Sequence, residues 1–456
     1  RRAAGAGGRG RSRLMEQANA GGAATRLSRR GIMRGAALLG AGALLPGWLP
    51  ARALAASGSA VEAGWPKVTA LIERYVAERK LPGALAAFGW GDGPLDHIVR
   101  GHEGFDDADA VGLDSLFRVY SMTKPITGLA AMLLIDEGKL ALDQPLADIL
   151  PEFAAMRVAI DPAKSLESRP AASPITIRHM LTHTAGFGYA GIGQDAVSRE
   201  LLRLGVTPAV VSRMVIPGLT PEVPTPAPAE FLRRAASVPL LVEPGRAWRY
   251  SMSLDILGLA IQRAAGAASF GAFLQERLFD PLGMTSSYFR VPESETGRFA
   301  TSYGMLAGVP LPLDPPRTSA YLDEAPFAFG GAGLVTSPAD YDRFLRVLVG
   351  RGSIDGRRVM SERAVAMGLS NLLPAGADTR GTFAEGAGFG AGGRVGLGAD
   401  EGSFGWSGAA GTVGFVNTRI GLRAGLYLQM LPAGVLPIQR EFLEAARADA
   451  LGRMTG

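Results

Sequence analysis

The chain contains no cysteine, which excludes disulfides and thiolate metal sites. Histidine is nearly as scarce, with four in 456 residues. A Ser-His-Asp triad would therefore have to use His97, His102, His179 or His183. There are five lysines against 42 arginines, an imbalance of the kind genome composition produces. Long apolar runs are also missing. The stretch from Gly35 to Leu49 is too short, and too broken by glycine and proline, to span a membrane. What remains is ordinary, with 47% apolar and 20% charged residues. Such a composition suits a globular protein with a large core, as one large domain or two to three small ones.

The net charge of +5 misleads about partners. Residues 1–55 hold ten arginines and one glutamate, a balance of +9, so the remainder is −4. A basic nucleic-acid-binding body is not expected, because its charge would have to lie in the part that folds. The front of the chain reads as an address instead. Arg29-Arg30 precedes the weakly apolar stretch 35–49, and Ala53-Leu54-Ala55 offers the small residues a signal peptidase accepts. This order resembles a twin-arginine export signal and implies a periplasmic or secreted protein that crosses the membrane already folded. Met15 is the expected start, since the segment before it resembles upstream translation.

Residues 1–56 are accordingly expected to be signal and tail, and 57–456 one domain. Trp65–Lys80 has Val68, Leu71, Ile72, Tyr75 and Val76 on one stripe, which predicts an amphipathic helix. Gly83–Trp90 and Leu95–His102 predict two strands around the turn Gly91-Asp92-Gly93. Residues 139–325 are expected to be mostly helical and loop-rich, with helices at Ile175–Thr184 and Leu254–Ala265. Five prolines between 216 and 229 predict a loop there. Thr412–Asn417 and Arg423–Met430 predict strands, and Val435–Leu451 a closing helix. Strands at both ends with helices between predict one discontinuous sheet, 65–120 plus 330–456, beside a helical subdomain, 121–329.

Ser121-Met122-Thr123-Lys124 is the one place where a serine stands three residues before a lysine. On a helix such positions lie one above the other. An amine one turn away can take the proton that keeps a serine hydroxyl a poor nucleophile. Pro125 suits a first helical turn, and Ile126, Leu129 and Leu133 recur at helical spacing up to Gly138. Lys124 thus falls at the positive end of a helix, which favours the neutral amine; burial acts the same way. Chance alone would supply about 0.3 such pairs in a chain of this composition, so the surroundings decide. His179 and His183 stand four apart, but the residues between them are Met-Leu-Thr, and no third ligand is apparent. They are expected to be structural, hydrogen-bonded residues, and no metal site is expected. The run Gly405-Trp406-Ser407-Gly408-Ala409 misses the nucleophile-elbow pattern at its last residue.

Five blocks then occur in one order. Phe117–Lys124 resembles the nucleophile segment of serine hydrolases related to class C β-lactamases. Ile175–Gly186 resembles the segment those proteins carry next, and Glu243–Ser251 their tyrosine motif. Gly330–Leu334 and Gly405–Thr412 complete the series. The resemblance runs from about 65 to 432. It implies an α+β fold of the β-lactamase/transpeptidase-like type: a mostly antiparallel sheet flanked by helices, with an all-helical subdomain. It implies Ser121 as nucleophile, Lys124 and Tyr250 as the base apparatus, and the backbone N–H groups of Ser121 and Ala409 as oxyanion hole. Whether the phenolate or the amine accepts the proton is left open. No cofactor is implied.

The departures bear on substrate. Trp406-Ser407-Gly408 stands where a β-lactamase of this type carries Lys-Thr-Gly, and Tyr250-Ser251-Met252 where it carries Tyr-x-Asn. An indole cannot attract a β-lactam carboxylate, and a thioether accepts hydrogen bonds only weakly. The pattern is similar to β-lactamase-like carboxylesterases. It implies a pocket of Trp406, Ser407, Gly408 and Met252 that takes neutral, hydrophobic esters. A β-lactamase, a D-amino-acid peptidase or amidase, an acyltransferase and a non-catalytic penicillin-binding-like module are the alternatives. The expected partner is a small ester or amide, and the expected state a monomer.

Overall fold

A computed structural model describes residues 60–209, 211–216 and 220–455; the segment expected to be an export signal lies outside them. Helix α1 (Pro66–Ala77) starts on proline and buries Val68, Leu71, Ile72 and Tyr75. Its first free N–H groups, of Lys67 and Val68, donate to the Asp449 carboxylate at 2.9 and 3.1 Å, so a residue of the closing helix caps the opening one. Trp65, just before α1, stacks on Phe88 with centroids 3.7 Å apart. That ring sits on β1 (Gly83–Trp90), which is buried on both faces up to its last residue and pairs antiparallel with β2 (Leu95–Gly101).

Next, β3 (Phe117–Arg118) carries the chain into the interior. Tyr120 there adopts φ 43°, in the left-handed region, and a 3₁₀ turn over Tyr120–Met122 leads into α2 (Thr123–Asp136). Thr123 ties the junction: its hydroxyl donates to Tyr120 O at 2.6 Å and accepts the Leu334 N–H at 3.1 Å. The predicted stripe on α2 understates its surroundings, since every residue from Thr123 to Leu134 is buried. A helix apolar all round belongs in a core. It stops where Gly138 takes φ 72°, a conformation glycine adopts without steric cost.

The block from 139 to 325 holds α3 (Ile177–Leu181), α4 (Ala196–Arg203), α5 (Pro228–Ser237) and α6 (Ser253–Ala265). Two expectations need correction. The helix expected at 175–184 is reduced to α3, because Thr176 caps it reciprocally with His179 and His183 turns the chain at φ 56°. The block also contains a strand pair, β4 (Ser302–Leu306) and β5 (Val309–Asp314). Pro310 and Pro312 hide β5 from a strand search, but it is an edge strand, where proline is tolerated.

After β6 (Val335–Thr336), which pairs with β3, and α7 (Pro338–Val349), the chain returns to the main sheet. It adds β7 (Gly388–Phe389), β8 (Arg394–Val395), β9 (Ser403–Ser407), β10 (Val413–Asn417) and β11 (Leu422–Tyr427). The sheet order is β7-β8-β9-β10-β11-β1-β2, antiparallel throughout. The strand expected over 423–430 divides: after β11, Met430–Leu431 pairs parallel with β4 instead. Helix α8 (Ile438–Thr455) closes the chain. No single helix among the described residues is long and apolar enough to cross a membrane.

A buried ion pair fixes the approach to the 3₁₀ turn. Arg118 and Asp314 are both almost fully buried and meet at 2.6 Å. The guanidinium also donates to Ala300 O at 2.6 Å and Ser319 Oγ at 3.1 Å, and lies 3.8 Å from the Phe299 ring centroid. Gln429 holds the same residue by its backbone, accepting its N–H at 3.2 Å and donating to its carbonyl at 3.1 Å.

Candidate active site

Three side chains remote in sequence meet at one hydroxyl. The Tyr250 phenol donates to Ser121 Oγ at 2.6 Å, and Lys124 Nζ donates to the same oxygen at 3.1 Å. Ser121 lies in the 3₁₀ turn and Lys124 in the first turn of α2, which brings the two side chains together as their spacing predicts. Tyr250 arrives from the segment just before α6. Ser121 is 8% exposed and Lys124 fully buried, so the serine is the member of the pair that keeps some access to solvent.

The amine is held from below by groups the sequence did not reveal. Lys124 Nζ donates to Gly331 O at 2.7 Å and approaches Tyr189 Oη at 3.4 Å. The Gly331 N–H donates to Asp255 Oδ1 at 2.8 Å, and Thr127 Oγ1 to Gly330 O at 2.6 Å. Asp255 is fully buried, and its Oδ2 has no hydrogen-bond partner among the described residues. Burial pushes its carboxyl up to about 7, against the opposing pull of the Lys124 charge and the Gly331 N–H. Burial also raises the Tyr189 phenol well above its usual range, with Tyr250 and Asp255 adding to the effect. The signals were faint: an aspartate in a first helical turn reads as a dipole partner, and Tyr189 follows its motif with no diagnostic spacing.

Aromatic rings surround Tyr250. Trp248 stacks on it at 5.8 Å, and His183, Tyr189, Trp406 and Phe383 lie at 4.9, 5.2, 5.7 and 6.0 Å between centroids. Trp406 does more than supply a wall, since its indole N–H donates to Tyr250 Oη at 3.2 Å. The two histidines are bonded separately. His179 Nδ1 accepts the Thr176 N–H at 3.1 Å, and His183 Nδ1 meets Ser251 Oγ at 3.2 Å. Burial lowers His179 to about 4. Burial, with the Lys124 charge second, holds His183 well below its usual value. Both are therefore neutral at pH 7.

The expected pocket residues separate into two groups. Trp406 and Ser407 are partly exposed at the end of β9. Gly408 is buried, and a Cβ there would overlap Val119 O and Thr412 Oγ1. It is a spacer that lets the turn after β9 press against the backbone leading to Ser121, and it offers no pocket surface. That turn is pinned from outside by Gln439, whose amide donates to Gly408 O and Thr412 O at 2.9 Å each. Ala409, next in the turn, packs on the cluster of Tyr120, Ala332 and Ala410. Met252 is 1% exposed and belongs to the main core. The position after Ser251 enters α6 and turns inward, so the apolar lining expected from Met252 is not presented.

The Beta-lactamase family profile matches residues 68–447. Among curated proteins, the chain is 35% identical over 277 residues to an uncharacterized protein of Mycobacterium tuberculosis, covering 59% of this chain and 63% of that one. It thus spans less than two thirds of that relative's length. It is 33% identical over 301 residues to esterase EstB of Burkholderia gladioli, covering 62% of this chain and 69% of that one. Among solved structures, EstCE1, described as a hydrolase with promiscuous acyltransferase activity, superposes with a TM-score of 0.68. It covers 85% of this chain and 99% of its own at 24% identity, a likeness that speaks to fold alone.

Proposed function

The chain belongs to the Beta-lactamase family, and on that footing we propose that it is a serine hydrolase of neutral, hydrophobic carboxylic esters. The observation that carries the proposal is the pair of contacts on Ser121 Oγ, 2.6 Å from Tyr250 Oη and 3.1 Å from Lys124 Nζ. Two titratable groups within proton-transfer distance of one hydroxyl form an activated nucleophile.

In the proposed cycle, the Lys124/Tyr250 pair takes the Ser121 proton while Oγ attacks the ester carbonyl. The tetrahedral oxyanion rests on the Ser121 and Ala409 N–H groups. The carbon–oxygen bond to the alcohol then breaks, and the pair returns its proton to the leaving oxygen. Water repeats the sequence on the acyl-enzyme and releases the acid. The preference for esters draws support from Trp406, a neutral ring where related β-lactamases carry a lysine. Export through residues 28–55, outside the described residues, and a monomeric state belong to the same proposal.

The test compares p-nitrophenyl butyrate with nitrocefin on wild type and Ser121→Ala. Ester turnover that exceeds nitrocefin turnover and vanishes in Ser121→Ala is expected. A nitrocefin rate constant far above that for the ester would overturn the esterase assignment in favour of a β-lactamase.

A further inference from the structure

We propose that Phe383 and Trp406 form a subsite for a ring-bearing alcohol group on the leaving-group side of Ser121. The inference rests on the esterase proposal and names the substrate class within it.

Phe383 is 68% exposed, an unusual position for a large apolar side chain, yet it does not stand alone. Its ring meets Tyr250 at 6.0 Å and 88°, Trp248 at 6.3 Å and 90°, and Trp406 at 6.4 Å and 79°. Edge-to-face packing on three rings sets its orientation. The loop that carries it is also built. Asp378 bonds by backbone to Arg246 and Trp248 at 2.9 Å each. Thr382 Oγ1 donates to Thr379 O at 2.6 Å and accepts the Ala384 N–H at 3.2 Å. Ala384 is fully buried against Trp248 and Phe389. A ring so fixed, with most of its surface uncovered, is a platform with nothing of this chain on it.

The chemistry decides which part of an ester meets the platform. A departing alkoxide needs a proton from the Lys124/Tyr250 pair, and since Lys124 is fully buried whereas Tyr250 is partly exposed, the group that can reach the leaving oxygen is Tyr250 Oη. The leaving oxygen must therefore lie within hydrogen-bond distance of that atom. Of the rings around Tyr250, Trp248 is buried, whereas Trp406 is partly exposed and Phe383 largely so. An alcohol group leading outward from Tyr250 Oη runs between these two. An aromatic or alicyclic ring on that alcohol covers the open face of Phe383 and abuts Trp406, hiding apolar surface on both sides. The acyl carbon is bonded to Ser121 Oγ and takes no proton from Tyr250, so the acyl group is not drawn to this corner.

The experiment uses two isomeric esters of equal size, benzyl acetate with the ring on the alcohol and methyl phenylacetate with the ring on the acyl group. The readout is the ratio of their kcat/KM values in wild type, Phe383→Ala and Phe383→Tyr. The ratio of benzyl acetate to methyl phenylacetate should fall by about tenfold in Phe383→Ala, the scale of losing one apolar contact in a specificity pocket, and recover in Phe383→Tyr. An unchanged ratio in Phe383→Ala overturns the subsite, even if both esters are hydrolysed. Hydrolysis of neither ester by wild type overturns the esterase proposal itself. Thermal denaturation of each variant shows that the ratio refers to folded protein.

Discussion

Replacing Trp406 with phenylalanine removes one hydrogen-bond donor and little else. The new ring retains the aromatic contact with Tyr250, now 5.7 Å between centroids, while the 3.2 Å bond from the indole N–H to Tyr250 Oη is lost. A bond of that kind to a neutral oxygen contributes about 0.5–1.5 kcal/mol, and to a charged oxygen about 1.5–3 kcal/mol. At about 1.4 kcal/mol per factor of ten, these correspond to losses of roughly 2- to 12-fold and roughly 12- to 140-fold. The bond lies at the long end of its range, which keeps the expected loss for a neutral oxygen between about twofold and tenfold. Ethyl acetate, followed by acid release at constant pH, is the suitable substrate, because neither of its halves reaches the aromatic corner. The loss should fall on kcat, with KM within about twofold of wild type, since the donor acts on the proton-transfer group and not on bound substrate. A loss well beyond tenfold would mean that the oxygen carries charge when the rate is set. An unchanged kcat with a raised KM would refute the reasoning and leave Trp406 as a wall only.

Two further outcomes follow from buried charge. Arg118→Met leaves Asp314 buried without its cation and should lower unfolding free energy by about 3–5 kcal/mol. Urea denaturation measures this, and a loss below about 1 kcal/mol would show that the pair is not the anchor described. Asp255 keeps in the folded state a proton that the unfolded chain releases, because its carboxyl rises from 3.8 to about 7. It therefore favours folding at acid pH, and that contribution is lost as pH rises from about 4 to about 7. The Lys124 charge and the Gly331 N–H oppose the shift, and Asp255 in turn helps raise the Tyr189 phenol. The denaturation midpoint of wild type should accordingly fall relative to Asp255→Asn across that window, and parallel curves would contradict the assignment.

Much of this architecture was legible in the sequence, for local reasons. Ser121 and Lys124 are related by one helical turn, which spacing alone conveys. The strands β1 and β2 announce themselves by an apolar run, an alternating run and a glycine turn. Tyr250 was legible only through motif resemblance, since nothing local ties it to residue 121. The remainder depends on what folds against what. Met252 has the composition of a pocket residue but the position of a core residue, and only the start of α6 decides between them. Asp255 looks like a helix-dipole partner until Lys124 and Gly331 are seen across from it. Phe383 sits in a glycine-bounded loop with no periodicity, and its importance comes from three rings brought there by other segments. The strand pair β4–β5 was hidden by prolines that an edge position tolerates.

The arrangement of the main sheet has a consequence for how the molecule is made. Strand β1 has β2 on one side and β11 on the other, and β11, which begins at Leu422, leaves the ribosome long after β1 does. Until then one flank of β1 keeps its peptide groups unpaired, an open template for strands of other molecules. Assembly so dependent on distant partners is slow. A product cut short before residue 422 would lack the closing partner altogether, and is expected to clump instead of persisting as a smaller working unit.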